Sequence, residues 1–273
     1  MDRLFKSGRY VFAASIFAFG AENLMLAHLK QDVVPVMPWV PGFQPLAYLT
    51  GLALATAGIC IAANLRPRLV SILLGLFFLV CAVAIQAPLV VAHPLDIGIR
   101  TTAFETLILC ATSLILAGML PAERFNSMKW ERAENALILC GRYLFAVSCI
   151  VFGADHLPII AFIASLIPAW IPGPYFWAWF TAFGFLAAGL SIAANIWARW
   201  GAGMLGLMFF LWVLVLHGPR VVSYPRSHNP NEWSSALIAL AICGGSWILA
   251  ESLGAEAPQA APVRDRTAIP LPR

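Results

Sequence analysis

Five residues in the second half of the chain are best equipped for chemistry: Asp155, His156, His217, Arg220 and Glu232. Each lies in or beside an apolar run. A charge there costs about 2.5–3.5 kcal/mol on insertion scales, so each one requires a partner or a role. Arg142, Phe145, Cys149, Phe152 and His156 recur at alternating spacings of three and four, which aligns them on one helical stripe. At 1.5 Å per residue, Asp155 stands about 20 Å along that helix from Arg142. His217 and Arg220 are three residues apart, with Pro219 between them removing a backbone donor. Glu232 opens the last apolar run, behind Ser227-His228-Asn229-Pro230. All five side chains therefore reach one level of the molecule.

Several chemistries suit such a group. Its members can satisfy one another through interhelical hydrogen bonds. They can bind the polar head of a small molecule, a quinone for example, and relay protons to it. His156, His217 and Glu232 are also a minimal ligand set for a metal ion, and His156 with His217 a pair for haem. His28, His93 and His228 read as solvated at the outer interface. Asp96 and Arg100, four apart, read as a pair at a helix start near His93 and Glu105.

The elements that carry these residues are apolar. The chain is 61% hydrophobic and 11% charged, against about 25% charged in a soluble domain. That is too little charge to cover a water-facing surface, so lipid is the expected solvent. Eight segments are long enough to cross about 30 Å of hydrocarbon. They run over approximately 10–28, 45–65, 69–92, 100–119, 137–157, 174–197, 201–222 and 233–251. The expected fold is all-α, a polytopic transmembrane bundle.

The eight segments form two sets of four. Gly8-Arg9-Tyr10-Val11-Phe12-Ala13 recurs as Gly141-Arg142-Tyr143-Leu144-Phe145-Ala146, and Phe19-Gly20-Ala21-Glu22-Asn23-Leu24 as Phe152-Gly153-Ala154-Asp155-His156-Leu157 (142 − 9 = 133; 155 − 22 = 133). Ile61-Ala62-Ala63-Asn64 recurs as Ile192-Ala193-Ala194-Asn195, and Gln86-Ala87-Pro88 stands where His217-Gly218-Pro219 does (192 − 61 = 131; 217 − 86 = 131). Beyond that the match loosens, and Glu105 against Glu232 is a guess. The first-half counterparts of Asp155, His156 and His217 are thus Glu22, Asn23 and Gln86. Asn and Gln hydrogen-bond like a neutral imidazole but do not titrate, which favours the second half as the site. Four spans per repeat keep both repeats parallel, related by a pseudo-two-fold axis along the membrane normal.

Lys and Arg set the orientation. With the N-terminus in the cytoplasm, Arg3, Lys6, Arg9, Arg66, Arg68, Arg124, Lys129, Arg132, Arg142, Arg199, Arg264, Arg266 and Arg273 lie inside, and Lys30, Arg100, Arg220 and Arg226 outside. Both termini are then cytoplasmic. The division is 1–120 as the first repeat, 121–136 as a cytoplasmic linker, 137–253 as the second repeat and 254–273 as a disordered tail. The N-terminal run resembles a signal peptide, but its recurrence at 142–157 marks it as a retained helix. The outer connections 29–44 and 158–173 each end in a Pro- and Trp-containing stretch before Pro-Gly, and read as interfacial caps serving as lipid anchors or lids. The six cysteines form no CxxC pair and read as small buried hydrophobes. The dispersed basic residues give no support to nucleic-acid binding. Nucleotide, HExxH and GxSxG fingerprints are absent from the sequence.

The motifs at 141–157, Pro168-Ala169-Trp170-Ile171-Pro172-Gly173, Leu216-His217-Gly218-Pro219-Arg220-Val221-Val222 and Asn231-Glu232-Trp233-Ser234-Ser235-Ala236 resemble those of DoxX-like bacterial integral membrane proteins. The likeness runs over most of both repeats. Asn23, Gln86 and Leu89 depart from it in the first. It implies four-helix membrane units in the bacterial cytoplasmic membrane. It also implies a link to quinone-coupled redox systems, with other membrane or redox subunits as partners. The alternative is a non-catalytic partner subunit or small-solute carrier.

Overall fold

Helix breakers divide the chain where the sequence places its connections. A computed structural model describes residues 1–28, 44–121, 128–223 and 231–255. The regular elements among them are all helical: α1 (Asp2–His28), α2 (Gln44–Ala62), α3 (Pro67–Cys81), α4 (Ala87–Ala92), α5 (Ile97–Met119), α6 (Met128–His156), α7 (Ile160–Leu166), α8 (Pro174–Ala194), α9 (Ala198–Trp212), α10 (Gly218–Ser223) and α11 (Asn231–Ala255). A π-helical turn, Ala82–Gln86, joins α3 to α4, and a second, Val213–His217, joins α9 to α10. In each, an N–H reaches back five residues, Ala87 to the Ala82 carbonyl and Gly218 to the Val213 carbonyl. Pro88 and Pro219 follow directly. A proline removes one helical donor and crowds the preceding turn, and a locally widened helix relieves both.

Seven of these stretches are long and apolar enough to cross a membrane: Pro45–Ala62, Pro67–Ala92, Ile97–Met119, Arg132–His156, Pro174–Ala194, Ala198–Ser223 and Glu232–Gly254. The chain is an integral membrane protein on this evidence of length and composition. The expected first span falls in α1, which is outside the seven and carries Asp2, Arg3, Lys6, Arg9 and Glu22. The expected linker is partly helical, because α6 begins at Met128. The outer cap at 29–43, residues 122–127, the 224–230 connection and the tail from 256 lie outside the described residues.

The long helices pack in a ring that follows chain order: α1 on α2, α2 on α3, α3 on α5, α5 on α6, α6 on α8, α8 on α9, α9 on α11, and α11 back on α1. α5 and α11 also meet across the middle. The core lies on α1, α5, α6 and α11, where Phe12, Ile16, Ile108, Ile115, Phe145, Cys149, Ile248 and Leu249 are fully buried. Outer helices present Leu49, Leu52, Leu73, Leu76, Trp179 and Phe183 outward. An apolar belt of this extent suits acyl chains and not water. Four cysteines are buried, Cys60 is partly so, and Cys140 is exposed.

Arginines close the ends of α2 and α8. Arg9 donates to the Ile61 carbonyl through Nε (3.0 Å) and Nη2 (2.5 Å), and to Asn64 Oδ1 (2.9 Å). Arg142, buried, donates from Nε to the Ile192 carbonyl (2.8 Å) and from Nη2 to the Ala193 carbonyl (3.3 Å). The last carbonyls of a helix lack intrahelical donors, and lipid supplies none. Asn64 and Asn195, which follow these helices, have positive φ (61° and 57°), a conformation that Asn tolerates.

Small residues bring helices into backbone contact. A Cβ at Gly20 would stand 2.2 Å from the Ala55 nitrogen on α2. Gly8 of α1 lies on Gly244 and Ile248 of α11, and Gly141 of α6 lies on the Ala111 carbonyl and Ile115 of α5. Gly75 faces Ser113 and Leu114, while Gly206 faces Ser246 and Trp247. Gly20→Val is expected to destabilise the bundle by about 3 kcal/mol, since the backbone has no room to yield. Gly184→Ala, whose nearest neighbour would be Met208 Sδ at 3.4 Å, is expected to be neutral. Unfolding of both variants in mixed micelles, followed by circular dichroism, checks the contrast.

Candidate functional site

The five predicted residues separate into three arrangements. Asp155, at the end of α6, is buried against Arg100 at the start of α5. Arg100 donates from Nε to Oδ1 and Oδ2 (both 2.9 Å) and from Nη2 to Oδ1 (2.5 Å), while its Nη1 donates to the Pro94 carbonyl (2.8 Å). This forked, charge-assisted contact commits the carboxylate. Asp96 does not take Arg100. It caps α5 instead, accepting from the Ile99 N–H at 3.0 Å.

Arg220 and Glu232 form the second arrangement, with Nη1 and Oε1 3.7 Å apart. Arg220 Nη2 also donates to the Leu166 carbonyl at 3.0 Å. It thereby fastens the end of α7, the helical part of the connection read as a cap. That short helix and the residue after it turn Ile163, Leu166 and Ile167 into a cavity.

His156 and His217 line that cavity, which has a volume of about 270 Å³. His156 comes from the last turn of α6, and His217 from the end of the π turn after α9. His156 Nδ1 lies 2.7 Å from the Phe152 carbonyl. A carbonyl only accepts, so Nδ1 carries a proton. Nδ1 of His217 is buried and has no hydrogen-bond partner among the described residues. The other walls include Phe152, Phe185, Phe209 and Trp212, with Thr101, Thr181 and Ser235 as polar points. Phe185 packs edge-on to Phe152 (5.7 Å between centroids) and to Phe209 (5.5 Å), with the His156 ring 5.2 Å away.

A third ionisable residue faces this space. Glu105, on α5, lines the cavity and also a second one of about 50 Å³. The smaller cavity holds Glu22, Asn23, Thr102 and Thr106 beside Phe19, Leu54 and Phe78. Glu22 is buried and accepts from Ser234 Oγ at 3.2 Å. Gln86 is buried at the end of the first π turn. The Glu105 carboxylate makes no hydrogen bond or ion pair among the described residues, and Ile238 of α11 also borders both cavities. Sequence reasoning left Glu105 in a helix-start cluster. Its position five residues inside the 100–119 run was the available signal that it stands at membrane depth.

The proposed metal set is not brought together, because Glu232 is turned to Arg220 and is absent from the cavity wall. Among the described residues no group of three or more His, Cys, Asp or Glu is arranged to hold a metal ion. The chamber can accept or donate hydrogen bonds through two imidazoles and a carboxyl, inside an aromatic wall.

Arg100→Ala and Asp155→Ala are each expected to cost about 3 kcal/mol by stranding the surviving partner. The double variant is expected to cost less than the sum, with a coupling of about 0.5–3 kcal/mol. Equilibrium unfolding of the four proteins in one detergent measures this. The chain matches no family model, no curated protein and no solved structure.

Proposed function

We propose that this is a DoxX-like protein of the bacterial cytoplasmic membrane whose second four-helix unit binds a small molecule with a polar head in its outer half. In this reading α1 is the eighth span, burying Phe12 and Ile16 while Arg9 and its neighbouring charges stay at the inner surface. The two units run parallel, with both termini cytoplasmic. Paired contacts support the duplication. Gly8 and Gly141 meet equivalent neighbours on α11 and α5, Gly75 and Gly206 do so as well, and the two π turns fall at matching places. These contacts align Ser113 with Ser246, and hence Glu105 with Ile238 in place of Glu232 (246 − 113 = 133; 238 − 105 = 133).

The observation that carries the ligand reading is one cavity shared by His156 and His217, with the His217 Nδ1 uncommitted. Ligand sites are mostly apolar hollows with a few convergent polar groups. The equivalent hollow in the first unit has Asn23 in place of His156 and is far smaller. The family resemblance favours a quinone head and a redox-linked membrane subunit. A second reading, a non-catalytic partner subunit or small-solute carrier, draws support from Asp155, Arg220 and Glu232, which are all ion-paired.

After mild extraction, a small amphiphile is expected to copurify with the wild-type protein and to fall at least about ten-fold, or about 1.4 kcal/mol, in His217→Ala. Native mass spectrometry and absorption spectra read this, with unchanged membrane insertion as the control. Full retention by the variant contradicts the assignment. In a cysteine-free background, an impermeant maleimide added to intact cells is expected to label Leu95→Cys and spare Trp197→Cys, both highly exposed positions. The reverse pattern overturns the orientation.

A further inference from the structure

Among the described residues, the charges around the chamber do not all cancel. On α6, Asp155 is held by Arg100, and at the mouth of α11 Glu232 is held by Arg220. On α1, Glu22 faces the smaller cavity and accepts from Ser234. Among the described residues no Lys or Arg lines either cavity. Glu105 borders both, sharing the larger one with His156 and His217, and makes no hydrogen bond or ion pair among the described residues. A carboxylate at this depth requires a proton or a counter-charge. Much of the same cavity wall is aromatic: Phe152, Phe185 and Phe209 form a continuous edge-to-face series, and Trp212 also lines it. Aromatic faces attract cations through the ring quadrupole, indole most strongly, and an aromatic box beside a carboxylate is a recognised receptor for ammonium groups.

We propose that the chamber takes a small organic monocation, its charge paired with Glu105 and its substituents seated against Phe152, Phe185, Phe209 and Trp212. This rests on the reading of the chamber as a ligand site but not on the quinone class. A cavity of about 270 Å³ accommodates a trimethylammonium head. The imidazoles of His156 and His217 remain for a hydroxyl or amide on the same molecule.

The test compares three probes on the full chain in nanodiscs free of choline lipids: choline, its uncharged isostere 3,3-dimethylbutanol, and a short-chain quinone. Titration calorimetry is expected to show choline bound at least about ten-fold more tightly than the isostere, a preference of about 1.4 kcal/mol. Glu105→Gln is expected to abolish that preference with an unchanged melting temperature, and Glu105→Asp, which keeps the charge, to retain it. Equal binding of choline and the isostere, or a preference that survives in Glu105→Gln, overturns the proposal. Binding of the quinone alone also overturns it while leaving the ligand site standing. Binding of none of the three overturns both.

Discussion

The contact between Arg100 and Asp155 is the one on which the end of the bundle that holds the chamber depends. It joins the first turn of α5 to the last turn of α6, two helices that otherwise meet through small residues and aliphatic side chains. In water such a pair would contribute little. Here the Asp155 carboxylate is buried, and leaving it alone would be costly. The pair sets the height at which α6 ends, and so where His156 enters the chamber. It also removes Asp155 from the set of groups available for proton transfer.

The same accounting of polar groups shapes the rest of the membrane region. Backbone carbonyls at the ends of α2 and α8 lack intrahelical donors, and Arg9 and Arg142 supply them. Pro88 and Pro219 would leave gaps in the helical ladder, and the π turns before them re-register it. The second of these turns ends at His217. One local disturbance, imposed by a proline two residues on, therefore delivers an imidazole to the cavity. The same device ends in Gln86 in the first half, where it delivers an amide.

The two hollows differ in size and in the residues that enclose them. Phe185 and Phe209 line the larger and Leu54 and Phe78 the smaller, and the enclosed spaces differ about five-fold, 270 Å³ against 50 Å³. The two hollows adjoin at Glu105 and Ile238, which face both of them. One of these two residues is acidic and the other aliphatic. That difference places between the chambers a carboxylate, Glu105, that has no hydrogen bond or ion pair among the described residues.

Composition alone determined that the solvent is lipid, and the apolar runs located the helices to within a few residues, because lipid demands both long apolar segments and internally satisfied backbone. The stripe from Arg142 to His156 was equally legible, since helical periodicity is local. The repeated motifs picked out His156 and His217 together, and the structure brings them into one cavity. What the sequence could not assign was partnership. Arg100 lies four residues from Asp96, and proximity along the helix suggested that pair, yet the side chain crosses to Asp155, 55 positions away. Glu105 read as part of a helix start until its face of α5 was set against both halves. Which charges cancel and which one stays open depends on how helices distant in sequence are turned toward one another, and only tertiary packing decides that.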